Sequence, residues 1–149
     1  MARPQSSPRQ LACYNTALVI ADVYSVAAAV LAASATLTSN WVRSRLDPLD
    51  DDATDLPIDH AGPVRIVGMV TADQISAAAP NGIIADFSND HATTKTGVIS
   101  IGMGGIAVAN DVANFDILVR GLFVRLRYVN GATAQGSMEL ACWLQGPSA

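Results

Sequence analysis

The chain encodes an all-β fold, an antiparallel β-sandwich or jelly roll of roughly seven to nine strands in one domain. Three observations predict it. Apolar residues alternate with polar ones over short runs; Gly, Pro and Asn punctuate those runs about every eight to twelve residues; and no strand–helix–strand rhythm, heptad or internal repeat interrupts them. At 149 residues the chain holds one core of ordinary size.

Residues 1–10 contain Pro4 and Pro8 and no apolar periodicity, and read as a flexible N-terminal arm ahead of a β domain over 11–149. Arg3 and Arg9 make the arm positive, with no acid among its ten residues. Leu11 to Leu37 superficially copies a signal peptide, with an Ala-rich stretch ending in Ala32-Ala33-Ser34-Ala35. Asn15 and Asp22 interrupt it, and a carboxylate at the centre of a membrane helix costs about 2.5 to 3.5 kcal/mol. The clean stretch from Ser25 to Thr36 is too short to span a bilayer, so a soluble chain is the preferred reading and a secreted or tethered one the alternative. Leu18, Ile20 and Val23 fit a strand, while Ser25 to Ala35 fits one short helix or a second strand.

Asn40 to Asp47 alternates with period two, Trp41, Arg43 and Arg45 on one face and Val42, Ser44 and Leu46 on the other. Asp47 to Pro63 holds three prolines and six aspartates without a basic residue, and reads as an exposed loop. Val64 to Ala72 is β-branched and apolar. Gly82 to Ser88 follows the Pro80-Asn81-Gly82 turn signal, with Ile83, Ile84 and Phe87 as core candidates. Asn89 to Thr96 is a polar connection. Gly97 to Ala109 alternates through Val98, Ile99, Ile101, Ile106 and Val108, and Gly102, Gly104 and Gly105 split it into two short strands or a bulged one. Phe115 to Val129 carries Ile117, Val119, Phe123, Val124, Leu126 and Tyr128. Asn130-Gly131 then predicts a type I′ hairpin leading into Ser137 to Gln145.

Two stretches resemble a known group. Asn81-Gly82-Ile83-Ile84-Ala85-Asp86-Phe87-Ser88-Asn89-Asp90 is similar to a strand and turn of small β-sandwich structural proteins of tailed bacteriophages. Arg125-Leu126-Arg127-Tyr128-Val129-Asn130-Gly131-Ala132-Thr133-Ala134-Gln135-Gly136 resembles the hairpin that closes the same proteins, and the order and separation agree over roughly Val64 to Gln145. His91 departs from the pattern, where Gly is usual. The resemblance implies a virion component: a head decoration or cement protein, or a tail, collar or baseplate accessory, present in the host cytoplasm during assembly and partnered by major capsid or tail proteins. From the residues themselves, Arg125 and Arg127 should project from one face of their strand, Leu126 and Tyr128 should fill the other, and Gln135 should satisfy backbone groups beside the turn.

Composition bears on the alternatives. Nine Lys+Arg against thirteen Asp+Glu give a net charge of -4, which disfavours nucleic acid as a partner. Half of the residues are hydrophobic, apolar for a chain that stays alone, and a homo-oligomer would bury the excess. Asp50, Asp52 and Asp55 offer oxygen ligands for calcium, but the loop lacks the Gly and terminal Glu of an EF-hand, and a solvated acidic loop without metal is preferred. His60 with Asp55 and Asp59, or His91 with Asp90, could form a base and its orienting carboxylate, yet no nucleophile motif accompanies either pair, and the chain reads as a non-enzyme without a cofactor. Gly102-Met103-Gly104-Gly105 lacks the helix and Lys of a phosphate loop. Cys13 and Cys142 lie near the two ends; they could pair, although two buried thiols are the commoner state in a reducing cell. Trp41 and Trp143 could stack on sugars in an adhesin, the alternative function, but Trp41 shares its face with two arginines. Trp41, Arg43, Arg45 and Trp143, with Arg3 and Arg9, are therefore the candidate assembly contacts.

Overall fold

A computed structural model describes residues 15–24, 31–43 and 65–145, with side chains for 31–43 and 65–142. Within these the chain is all-β and no helix forms. Nine strands follow in order: β1 (Asn15–Tyr24), β2 (Thr36–Thr38), β3 (Val42–Arg43), β4 (Arg65–Ala72), β5 (Ile83–Ser88), β6 (Ile99–Gly104), β7 (Asp111–Leu118), β8 (Phe123–Val129) and β9 (Met138–Gln145). They build two antiparallel sheets. One has the order β1-β9-β4-β7; the other has β2-β8-β5-β6, with β3 also paired to β8.

Period-two burial explains why these segments become strands. Ile66, Val70 and Ala72 of β4 face inward together with Phe115 of β7 and Met138, Leu140 and Cys142 of β9. Opposite them stand Ile83, Ala85 and Phe87 of β5 and Val124, Leu126 and Tyr128 of β8. Apolar residues of both sheets thus form one core, the arrangement that lets an alternating strand keep its other face in water. Gly68 sits where β4 passes closest to its neighbours: a Cβ there would lie 2.6 Å from the Phe115 ring and from the Cys142 side chain.

Several sequence expectations are corrected. Asn130-Gly131 does not form a type I′ hairpin. Its flanking strands, β8 and β9, belong to different sheets, and neither residue has positive φ. The segment is an arch between sheets, and Gly131 is required for close approach: a Cβ there would stand 2.5 Å from the Ile75 carbonyl oxygen. Phe115 to Val129 is two strands, since the chain leaves one sheet after Leu118 and joins the other at Phe123. The described part of the segment read as a short helix or a second strand, 31–35, is neither: it holds a bridge from Leu31 to Gln135 and a turn in which Ser34 has φ 57°; residues 25–30 lie outside the described part. Val98, Ile99 and Val108 are exposed, at 38%, 52% and 63%, because β6 is an edge strand and Val108 lies in the connection beyond it. Of the two readings of the glycine-rich stretch, the bulged strand is the one that forms, its register with β5 shifting between Ile83 and Ile84.

Candidate functional site

The strands within 81–90 and 125–136 lie side by side, since β5 pairs with β8 from Ile83↔Tyr128 to Ser88↔Phe123. Their outward residues build the most organised polar group of the described chain. Asp86 occupies the centre of β5 on the side away from the core, and its side chain is fully buried. Four donor groups close over it. Arg127 donates from Nε to Oδ2 and from Nη2 to Oδ1, each at 2.8 Å; Arg125 donates from Nε to Oδ2 at 2.8 Å; and the Ser100 hydroxyl donates to Oδ1 at 2.6 Å. Burial pushes the Asp86 carboxyl up, but the hydrogen bonds from Arg127, Ser100 and Arg125 outweigh it and hold the group below its ordinary range. The carboxylate pulls two guanidinium groups onto the sheet while about three-tenths of each arginine side chain stays in solvent.

An aromatic neighbour extends this face. The Arg125 guanidinium lies over the Trp41 ring, 4.7 Å from its centroid, so one face of that indole is already covered by a cation. Arg43 on β3 is half-buried and pairs in register with Phe123. At the far end Lys95 Nζ stands 3.6 Å from the Phe123 ring centroid, and the His91 ring meets Phe123 edge-on at 5.6 Å. The connection from Asn89 to Thr96 folds over the start of β8. Asn89 Oδ1 accepts the Leu122 N–H, and the Asp90 carboxylate accepts the Ala92 N–H, the Thr96 N–H and the Thr96 hydroxyl. Those bonds, the Ala92 amide first, hold Asp90 down to about 2. Its oxygens are thereby engaged by loop donors, and His91 packs on an aromatic ring.

A second polar group is interior. Gln135 is fully buried in the arch. Its Oε1 accepts the Gln74 N–H at 3.0 Å; its Nε2 donates to the Gln74 carbonyl at 3.0 Å, to Tyr128 Oη at 3.1 Å and to Asn130 Oδ1 at 2.8 Å. The backbone role expected of Gln135 is met. Nearby, a pocket of about 400 Å³ is lined by Ile75, Ser76, Ala78, Ala79, Gly105 and Ile106. The Ser76 hydroxyl accepts the Ile106 N–H at 2.8 Å and donates to the Ala77 carbonyl at 2.8 Å, which leaves the pocket apolar in character.

No family model, curated protein or solved structure matches the chain.

Of the residues singled out in the sequence, Trp41 and Arg43 stand on or beside the Asp86 face. Arg3, Arg9, Arg45, Asp50, Asp52, Asp55, His60 and Cys13 lie outside the described residues. The Trp143 backbone pairs with Ala17 and Val67 in the other sheet; its side chain is likewise outside the described part. Cys142 is buried. Arg125 and Arg127 project outward while Leu126 and Tyr128 are buried, as the alternation required. The residue that sequence reasoning missed is Asp86. The signal was there: an acid between Ala85 and Phe87 in an apolar strand, and two arginines spaced by two in another.

Proposed function

We propose that the protein is a non-enzymatic structural component of a tailed-phage particle, self-associating and docking on the capsid or on a tail or baseplate assembly. The observation that carries this reading is that β5 and β8, one from each of the two resemblance-bearing stretches, are neighbouring strands joined through Asp86, which supports a single outer surface on that sheet. That surface offers the Arg125 guanidinium stacked on half-buried Trp41, with Arg43 and Arg127 on the same sheet, and aromatic and Arg side chains are the types enriched in protein interfaces. Exposed apolar side chains at Ile75, Val98, Ile99, Val108, Val112 and Leu118 add material that contact with neighbours would remove from water. In this reading the partners are major capsid or tail proteins, and the positive arm with Arg3 and Arg9 reaches an acidic neighbour.

Co-sedimentation with assembled tailed-phage capsids and tails tests it, using the full chain and a version lacking residues 1–10. Binding by the full chain, weakened by loss of the arm, is expected. A chain that stays in the supernatant with both capsids and tails overturns the reading.

A further inference from the structure

We propose that the self-association contained in the preceding reading is a two-fold dimer made by β7, paired antiparallel with β7 of a second copy so that Phe115 faces Phe115 across the axis. The inference rests on that reading only for the existence of an oligomer; the surface and register come from the strand itself.

The choice of strand follows from the edges of the two sheets. β2 and β3 are three and two residues long, too short to template a partner. β6 carries a register shift and a positive-φ Gly104, devices that spoil an edge for pairing. β1 has an irregular register between Val19 and Tyr24. β7 differs from all of them. It runs for eight residues in unbroken register with β4, from Ala72↔Asp111 to Arg65↔Leu118, with no proline or bulge and with Asp111 and Asp116 as its charges, and among the described strands it ends its sheet. Its outward positions Val112 and Leu118 are 47% and 41% exposed. Such an edge recruits another strand unless something blocks it.

The occupant follows from complementarity. Residues opposite one another in an antiparallel pair share a face, so core must meet core, and a two-fold axis has to pass through a residue of the strand. An axis at Asn114 sets Val112 against Asp116 and Leu118 against Asn110. An axis at Asp116 sets two carboxylates directly opposite, which is repulsive. An axis at Phe115 instead pairs Val112 with Leu118 and Asn114 with Asp116 on the outer face, and Ala113 with Ile117 on the inner one. Apolar meets apolar, and amide meets carboxylate. With the axis at Phe115 each Asp116 keeps its own Arg65 partner, Nε at 2.6 Å, and faces an amide of the other copy. The Val112 N–H is held by the Asp111 carboxylate at 2.8 Å, which concentrates new backbone bonds in the middle of the strand. β6 also touches β7, and Ile99 at its start and Val98 just before it are exposed.

Light scattering on the full chain tests the register through charge. Val112→Lys and Leu118→Glu each put one charge opposite an apolar residue of the other copy; each is expected to halve the mass relative to the unsubstituted dimer. The double variant V112K/L118E places opposite charges across the axis twice and should recover the dimer. A monomeric unsubstituted chain overturns both the inference and the self-association it rests on. A V112K chain that keeps the oligomer mass overturns the β7 inference alone, and a folded double variant that stays monomeric overturns the register. Amide exchange on the unsubstituted chain checks the same point without mutation: β7 amides should exchange more slowly as concentration rises, and concentration-independent exchange there overturns the inference.

Discussion

Arg127 grips Asp86 with two parallel hydrogen bonds, Nε to Oδ2 and Nη2 to Oδ1, both 2.8 Å long. This fork-to-carboxylate geometry locks β8 to β5 forty-one positions apart in the chain. Arg125 adds one bond to the same carboxylate and stacks on Trp41. Replacing Asp86 by Ala leaves both guanidinium groups without their acceptor, but each is partly exposed and can turn to water. The expected loss is therefore about 2 to 3 kcal/mol, below the range for stranding a fully buried charge. Arg127→Met should cost more than Arg125→Met, because it removes two bonds to Asp86 where the other removes one. Urea denaturation of the three variants measures the order.

Asp86 also sets an acid limit. Its folded carboxyl lies below the ordinary value of 3.8, so its contribution is present above that value and is lost as pH falls through the folded pKa. The unsubstituted chain should lose stability steeply below pH 3.8, while Asp86→Asn, less stable at neutral pH, should show a shallower acid limb. Denaturation midpoints followed down the acid range would reveal the two curves converging; parallel curves would assign the acid limit to other carboxylates.

At the alkaline end Tyr128 makes its own contribution. Burial, with a smaller push from the Asp73 charge, raises its phenol from 10.0 to about 12. Because the folded pKa is the higher one, the stability tied to the neutral phenol is complete below pH 10.0 and disappears as pH rises towards 12. Two units of difference correspond to about 3 kcal/mol. Tyr128→Phe should cost about 1 kcal/mol at neutral pH through loss of the bond from Gln135 Nε2, and should lack the alkaline limb. Absorbance titration of the phenol alongside urea melts checks both halves.

Where alternation alone decides a structure, the sequence was readable. β4, β5 and β9 appear within a residue or two of their expected bounds, β8 ends at Val129 where the expected run ends, and the glycines after Gly102 do mark a bulge. Pairings between distant segments were not readable. The role of Asp86 depends on β5 meeting β8, and no local pattern encodes that meeting. The exposure of Ile99 and Val112 follows from β6 and β7 being sheet edges, a property of topology and not of either strand. Val119 to Leu122 offers no Pro or Asn to announce the crossing between sheets, so two strands read as one run. At Asn130-Gly131 a strong local turn signal is overridden by tertiary contacts.

That override is itself testable, because the two accounts of Asn130-Gly131 predict opposite results. In a type I′ turn Asn130→Gly would be nearly neutral, since glycine accepts positive φ at least as well. In the observed arch the Asn130 side chain is buried, donates from Nδ2 to the carbonyls of Ala32 at 2.8 Å and Thr133 at 2.9 Å, and accepts from the Gly131 N–H at 2.9 Å and from Gln135 Nε2 at 2.8 Å. Removing it strands those partners in the interior, and the expected cost is about 2 to 4 kcal/mol. Gly131→Ala should also destabilise, by about 1 to 3 kcal/mol, because the added methyl meets the backbone oxygens of Ile75 and Ser76 at 2.5 Å and 3.0 Å, atoms that no side-chain rotation can move. Thermal unfolding of the two single variants decides the matter: a stable Asn130→Gly protein would restore the hairpin, whereas a large loss at both positions places the arch, and with it the seam between the two sheets, at this dipeptide.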